Sequence, residues 1–201
     1  MKKLFLTPIL LSATILSYGQ TINFGLKAGI NYSIFHYNGA YAPATPHYLT
    51  GFNAGAVIDI GLPGFLIQPG LLYSAKGEKY TQVVIAADPA DNTSYIASNR
   101  LNYLELPVNV LYVIKNINFV KVRIGGGPYL GYPISGAVSG SGETNPYTPD
   151  KTPDYGLNAL LEFDFKNGIM VNAGYQYGLG KANGYTFQNR VISVDVGYMF
   201  K

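Results

Sequence analysis

The stretch Asn189-Arg190-Val191-Ile192-Ser193-Val194-Asp195-Val196-Gly197-Tyr198-Met199-Phe200-Lys201 alternates with a period of two. One parity holds Arg190, Ile192, Val194, Val196, Tyr198 and Phe200, all apolar except Arg190. The other holds Asn189, Val191, Ser193, Asp195, Gly197 and Met199, small or polar apart from Val191 and Met199. Successive side chains of a β-strand point to opposite faces, so this period predicts a strand with one greasy and one polar side.

The pattern recurs upstream over 22–34, 50–60, 65–76, 101–112, 119–131, 155–165 and 169–179. Together these segments predict eight strands. Gly61-Leu62-Pro63-Gly64 and Lys166-Asn167-Gly168 read as tight turns between strands. The links alternate in length. Short ones fall near Leu62, Lys115 and Asn167, and long polar ones cover 36–49, 77–99 and 132–154. The link near 181–187 is intermediate. Short turns at one end and long loops at the other are the habit of outer-membrane barrels.

Charge parity separates the possible architectures. Lys27, Asp59, Lys76, Glu105, Lys121, Arg123, Glu162, Asp164 and Asp195 all fall on the less apolar face of their strands. That face is also the small, Gly-rich one. A soluble sandwich turns its apolar face inward and its charges to water. A polar inside with a bulky, uncharged outside belongs to a barrel in lipid. Aromatic residues gather at strand ends. Phe24, Phe65, Tyr112, Phe119, Phe163, Phe165, Tyr198 and Phe200 mark one rim. Tyr32, Phe52, Tyr73, Tyr132, Tyr155, Tyr175 and Tyr177 mark the other, as rings that favour a lipid–water interface do.

Composition agrees. Charged residues make up 12% of the 201 residues, against about 25% in soluble domains. Gly (24) and Pro (12) are frequent enough to disfavour long helices. Without Cys there is no disulfide framework, thiolate metal site or lipid-modified N-terminal Cys. The net charge of +3 includes Lys2 and Lys3, and no basic run points to nucleic acid. Residues 1–19 have the form of a secretory signal. Lys2 and Lys3 are followed by an apolar run over 4–16 and by Ser17-Tyr18-Gly19, which predicts a mature barrel domain over 20–201. The apolar run is too short for a membrane span of roughly 20 residues.

Several pieces carry a family resemblance: Phe24-Gly25-Leu26-Lys27-Ala28-Gly29, Leu101-Asn102-Tyr103-Leu104-Glu105-Leu106-Pro107, Gly125-Gly126-Gly127-Pro128-Tyr129, Tyr175-Gln176-Tyr177-Gly178-Leu179 and Val196-Gly197-Tyr198-Met199-Phe200. In this order the chain resembles the small Bacteroidetes-type outer-membrane β-barrels called PorT-like. The resemblance implies an outer-membrane location but no defined biochemical activity. It also implies that the aromatic end of the last strand is read by the barrel assembly machinery during insertion. Lys201 after Phe200 is a small departure from that signal.

Chemistry-bearing constellations are sparse. His36 and His47 fall in the first long loop, and with Ser33 they could form a nucleophile–base set, although no motif fixes their spacing. Two His and scattered carboxylates are too few convergent ligands for a metal site. Gly125-Gly126-Gly127 leads into Pro128-Tyr129 rather than a helix, so it reads as close packing and not as a phosphate loop. An eight-stranded lumen is just wide enough for side chains to fill. Lys27, Glu105, Lys121, Arg123, Glu162, Asp164 and Asp195 would therefore meet across it as a charge network.

The expectation is an all-β, eight-stranded, antiparallel up-and-down transmembrane β-barrel. It would have no catalytic activity and no cofactor, and long outer loops for surface or partner contact. Its partners would be outer-membrane lipid and, during insertion, the assembly machinery, with no nucleic acid and no protein partner named by the residues. The alternatives are a narrow transport pore and a soluble periplasmic ligand-binding barrel.

Overall fold

The computed structural model describes residues 21–37, 45–84, 92–180 and 187–200. Residues 1–20, which include the signal segment expected from the sequence, and residues 38–44, 85–91, 181–186 and 201 lie outside the described residues. Nine strands form among those described: β1 (Thr21–Tyr37), β2 (Pro46–Leu62), β3 (Phe65–Val84), β4 (Thr93–Ile117), β5 (Val120–Gly140), β6 (Glu143–Tyr147), β7 (Asp154–Phe165), β8 (Ile169–Gly178) and β9 (Phe187–Phe200). They pair in the order β4-β3-β2-β1-β9-β8-β7-β5-β6, and a further β4–β5 pairing closes the sheet on itself. Every pairing is antiparallel. The ring thus contains eight strands, and β6 folds back on the far end of β5. No strand edge is left open around the ring, which is what a membrane interior requires of a sheet.

Chain ends and turns set the register. Phe24 stands opposite Phe200 and Tyr32 opposite Ile192, so the first and last strands zip the ring shut. At one end the connections are tight. Leu62 pairs with Phe65 across Pro63-Gly64, where Gly64 has φ 86°. Ile117 pairs with Val120 across Asn118-Phe119. The third tight turn runs through Lys166-Asn167-Gly168, with Gly168 at φ 92° and the Asn167 side chain accepting from the Ile169 amide at 3.1 Å.

The alternation decides what faces outward. In β9, Ile192, Val194, Val196, Tyr198 and Phe200 are exposed, whereas Val191, Asp195 and Met199 are buried. Phe24, Ile30, Val108, Ile124, Leu157 and Tyr175 extend the exposed apolar surface around the ring. Exposed apolar patches on soluble proteins rarely exceed a few hundred Å². A belt around a whole barrel needs lipid beside it. Among the described residues no helix is long and apolar enough to cross a membrane.

Two expectations change. The polar segments 77–99 and 132–154 were expected as loops, yet β3, β4 and β5 run on through much of them, and Ser141-Gly142 turns β5 into β6. Beyond the bilayer the outer face of a sheet meets water instead of lipid, so the alternation that marks a strand in lipid fades there. The link expected near Lys115 lies instead at 118–119, after a ladder irregularity between Val113 and Lys115.

Candidate functional site

The interior is the part of the molecule with chemistry. Near the tight-turn end, Arg123 on β5 reaches three carboxylates. Nη1 donates to Asp59 Oδ2 at 2.9 Å and to Glu162 Oε1 at 2.6 Å, and Nη2 donates to Asp164 Oδ2 at 3.0 Å. The cross-strand register explains the meeting, because Arg123 lies directly opposite Glu162 on β7. Gln68 joins from β3, donating to Asp59 at 2.9 Å and to Glu162 at 3.1 Å. The planar fork of Arg suits several carboxylates at once, which Lys cannot match.

At mid-height Lys27 Nζ pairs with Asp195 at 3.1 Å, β1 lying beside β9. Asn53 donates to the other Asp195 oxygen at 2.7 Å and to Asn31 at 2.9 Å. Asn31 in turn donates to the Ser74 hydroxyl at 2.9 Å. Higher still, Lys76 pairs with Glu105 and, at 3.5 Å, with Asp154. The Tyr103 and Tyr129 rings flank its ammonium at 5.3 and 4.6 Å. Asp154 also accepts from the Tyr129 hydroxyl at 3.0 Å and from Asn189 at 2.8 Å, while Gln176 donates to Glu105 at 3.2 Å. Arg123, Lys76, Glu162, Asp154 and Asp195 are each held by more than one partner, as a low-dielectric site demands.

Of the residues the sequence assigned to this network, Lys27 meets Asp195, and Arg123 meets Glu162 and Asp164. Glu105 meets Lys76, which shares its parity but was not assigned. Lys121 departs from the expectation. It is exposed, and the salt bridges among the described residues do not include it. It stands two residues nearer the turn than Arg123, where the lumen opens into a cavity of about 300 Å³ lined also by Asp59 and Asn116. Water reaches that mouth, so a cation there stays hydrated without a partner. Asp59, Gln68, Asp154 and Asn189 were missed as members. Asp59 carried the right parity. Asp154 lies at the end of a polar segment whose composition reads as a loop.

The inside is not uniformly polar. Leu66, Leu111 and Leu160 form one apolar cluster, and Val57, Met170 and Met199 another. Phe35, Leu101, Tyr103 and Phe187 form a third, with the Phe35 and Phe187 rings stacked at 4.2 Å. These apolar layers share the interior with the ionic groups. A cavity of about 40 Å³ beside Lys27 and Asp195 is room for about one water. Gly125 and Gly127 in β5 pass so close to the Val110 and Val108 carbonyls of β4 that a Cβ would collide with backbone. Close packing is thus their role.

Ser33, His36 and His47 do not assemble. Ser33 is buried; its hydroxyl accepts from the Gly77 amide at 2.8 Å and has the Gly77 and Leu49 carbonyls at 3.0 and 3.3 Å as acceptors for its single proton, while His36 is exposed on the opposite face of β1. Among the described residues no group of His, Asp and Glu is placed to hold a metal ion. Above the barrel, Glu78 on β3 accepts from the Tyr37 hydroxyl. Burial pushes its carboxyl up to about 7, although the Tyr37 bond pulls the other way. Burial, aided by the Glu78 charge, raises the Tyr37 phenol as well.

A family model described as an outer membrane protein beta-barrel domain matches residues 17–183. No curated protein matches the sequence. Solved structures similar to the chain include Neisserial surface protein A, 15% identical with a TM-score of 0.48, over 88% of this chain and 97% of that one. They also include Ail, the attachment invasion locus protein of Yersinia pestis, 13% identical with a TM-score of 0.45, over 89% of this chain and 98% of that one.

Proposed function

The chain belongs to the outer membrane protein beta-barrel domain family, and from that premise we propose that it is a closed, non-catalytic barrel that presents its long-loop end outside the cell. The observation that carries the reading is the dryness of the lumen. Lys76 and Glu162 are 0% exposed and Glu105 is 1% exposed, at different heights in the barrel. Lumen charges in an open pore stay wet; these are packed among one another and among apolar layers. The network thus acts as a plug that fixes register and closes the passage.

Function then falls to the outside. The outward extension of β3, β4, β5 and β6 offers a partner a rigid sheet rather than loose loops. Exposed Val83, Val84 and Ile96 supply apolar contact there. On this reading the segment 1–19 acts as a cleaved signal, the protein is a PorT-like barrel of a Bacteroidetes-type envelope, and the aromatic last strand engages the assembly machinery.

Planar-bilayer recording tests the plug. The purified barrel should insert and show no steady single-channel conductance. Reproducible steady conductance would favour the narrow-pore reading instead.

A further inference from the structure

The lipid-facing wall carries a cation at an unexpected place. Arg190 shares its parity with Ile192, Val194 and Val196, and these three are exposed apolar residues. It lies ten positions before Phe200 in β9. At ~3.3 Å per residue and a tilt of ~40°, it stands about 25 Å above the tight-turn rim. That is the height of an outer-membrane apolar band, so Arg190 sits at the depth of lipid headgroups.

Neutral groups hold the side chain. Its guanidinium carbon lies 3.6 Å from the Tyr177 ring centroid, and Tyr177 faces it directly across the β8–β9 ladder. Nη1 donates to the Gly178 carbonyl at 2.8 Å and to the Asn189 carbonyl at 3.1 Å, and Nη2 donates to Gln188 Oε1 at 2.9 Å. An Arg side chain has five N–H donors, so two are left over. The salt bridges among the described residues do not include Arg190.

Beside Arg190 lies a cavity of about 380 Å³ on the barrel's outer wall, lined also by Ile34, His36, Pro46, Tyr48 and Tyr175. Tyr48 stacks on Tyr32 with ring centroids 4.4 Å apart and an interplanar angle of 6°, which makes a flat aromatic wall. A fixed cation with spare donors, no ion-pair partner among the described residues and an apolar wall at headgroup depth is complementary to a lipid phosphate. We propose that this cavity seats the phosphate headgroup of an outer-leaflet lipid. Arg190 donates its two remaining N–H groups to phosphate oxygens, and the acyl chains run down the wall past Ile192. The leaflet assignment rests on the long-loop end facing outward, as proposed above.

The test is native mass spectrometry of the folded, detergent-purified chain incubated with phosphatidic acid or with phosphatidylcholine. The wild type should retain phosphatidic acid preferentially, and Arg190→Gln should weaken that retention about tenfold, equivalent to about 1.4 kcal/mol. Arg190→Lys, which keeps the charge but not the fork, should fall between them. Equal retention of the two lipids by the wild type overturns the proposal, whatever the variants do. So does undiminished retention by a folded Arg190→Gln. Displacement of the lipid by inorganic phosphate at matched concentration would make this a soluble-phosphate site and overturn the lipid assignment. Heat-modifiable gel mobility, read on the same samples, reports the barrel itself. A folded barrel without lipid preference therefore sinks this inference and leaves the proposed function standing.

Discussion

Replacing Arg123 with Ala removes the cation facing Asp59, Glu162 and Asp164, all buried, and leaves the three carboxylates in place. Removing one partner of a buried ion pair costs about 3–5 kcal/mol, mostly for the charge left behind. Gln68 still donates to Asp59 and Glu162. That softens the loss without supplying a counter-charge, so about 3–5 kcal/mol is the expected cost, a large part of a typical folding free energy of about 5–15 kcal/mol. Urea titration of the barrel in phospholipid vesicles measures it, with the folded fraction scored by the mobility of unheated samples on a gel. Lys121→Ala, at the wet mouth, is the control and should stay within about 0.5 kcal/mol of the wild type. Adding Glu162→Gln and Asp164→Asn to Arg123→Ala should recover at least about 1 kcal/mol, since the three groups act as one unit. The lumen should remain closed, because Leu66, Leu111 and Leu160 are untouched. A cost for Arg123→Ala no larger than that for Lys121→Ala would refute the plug as a source of stability.

Three further outcomes are expected. The Glu78 carboxyl, raised from 4.5 to about 7, binds its proton more tightly in the folded state. Its stabilising contribution is therefore full below about pH 4.5 and is lost as pH rises through about 7. Amide-exchange protection around 77–80 should fall over that window beyond the intrinsic rate change, and Glu78→Gln should flatten the profile. Val194→Arg, halfway up the lipid-facing wall, should cost about 2–4 kcal/mol in vesicles, while Ile22→Arg at the rim should cost about 0–1 kcal/mol; equal small costs would point to water on that face. Gly64→Ala, at φ 86° with open space around the missing Cβ, should cost about 1 kcal/mol through backbone strain alone, read in the same urea titration.

The barrel was legible because lipid and lumen impose opposite demands on alternate residues. Ile192, Val194 and Val196 against Ser193, Asp195 and Gly197 state both demands within six positions. Where the bilayer ends the demand ends, and the strands over 77–84 and 93–99 read as loops. Parity placed Lys27, Arg123, Glu162 and Asp195 on the inward face but could not give height along the axis. Height separates dry Arg123 from wet Lys121, and it comes from strand tilt and turn position. The partners of Lys76 were hidden for a related reason. Asp154 lies far along the chain and reaches Lys76 only once β7 is in register beside β5. Arg190 stood out in the sequence as the exception to its parity, and the cavity beside it could be seen only in three dimensions.

The chain has no Trp, so a single introduced Trp is a clean reporter of what surrounds it. Val194→Trp, Phe200→Trp and Tyr147→Trp would be reconstituted in vesicles whose acyl chains carry bromine at mid-depth. If the exposed apolar belt faces lipid, fluorescence should be quenched most at 194, less at the rim position 200, and hardly at all at 147, above the membrane. Quenching at 194 no stronger than at 147 would contradict the placement of that belt in the bilayer.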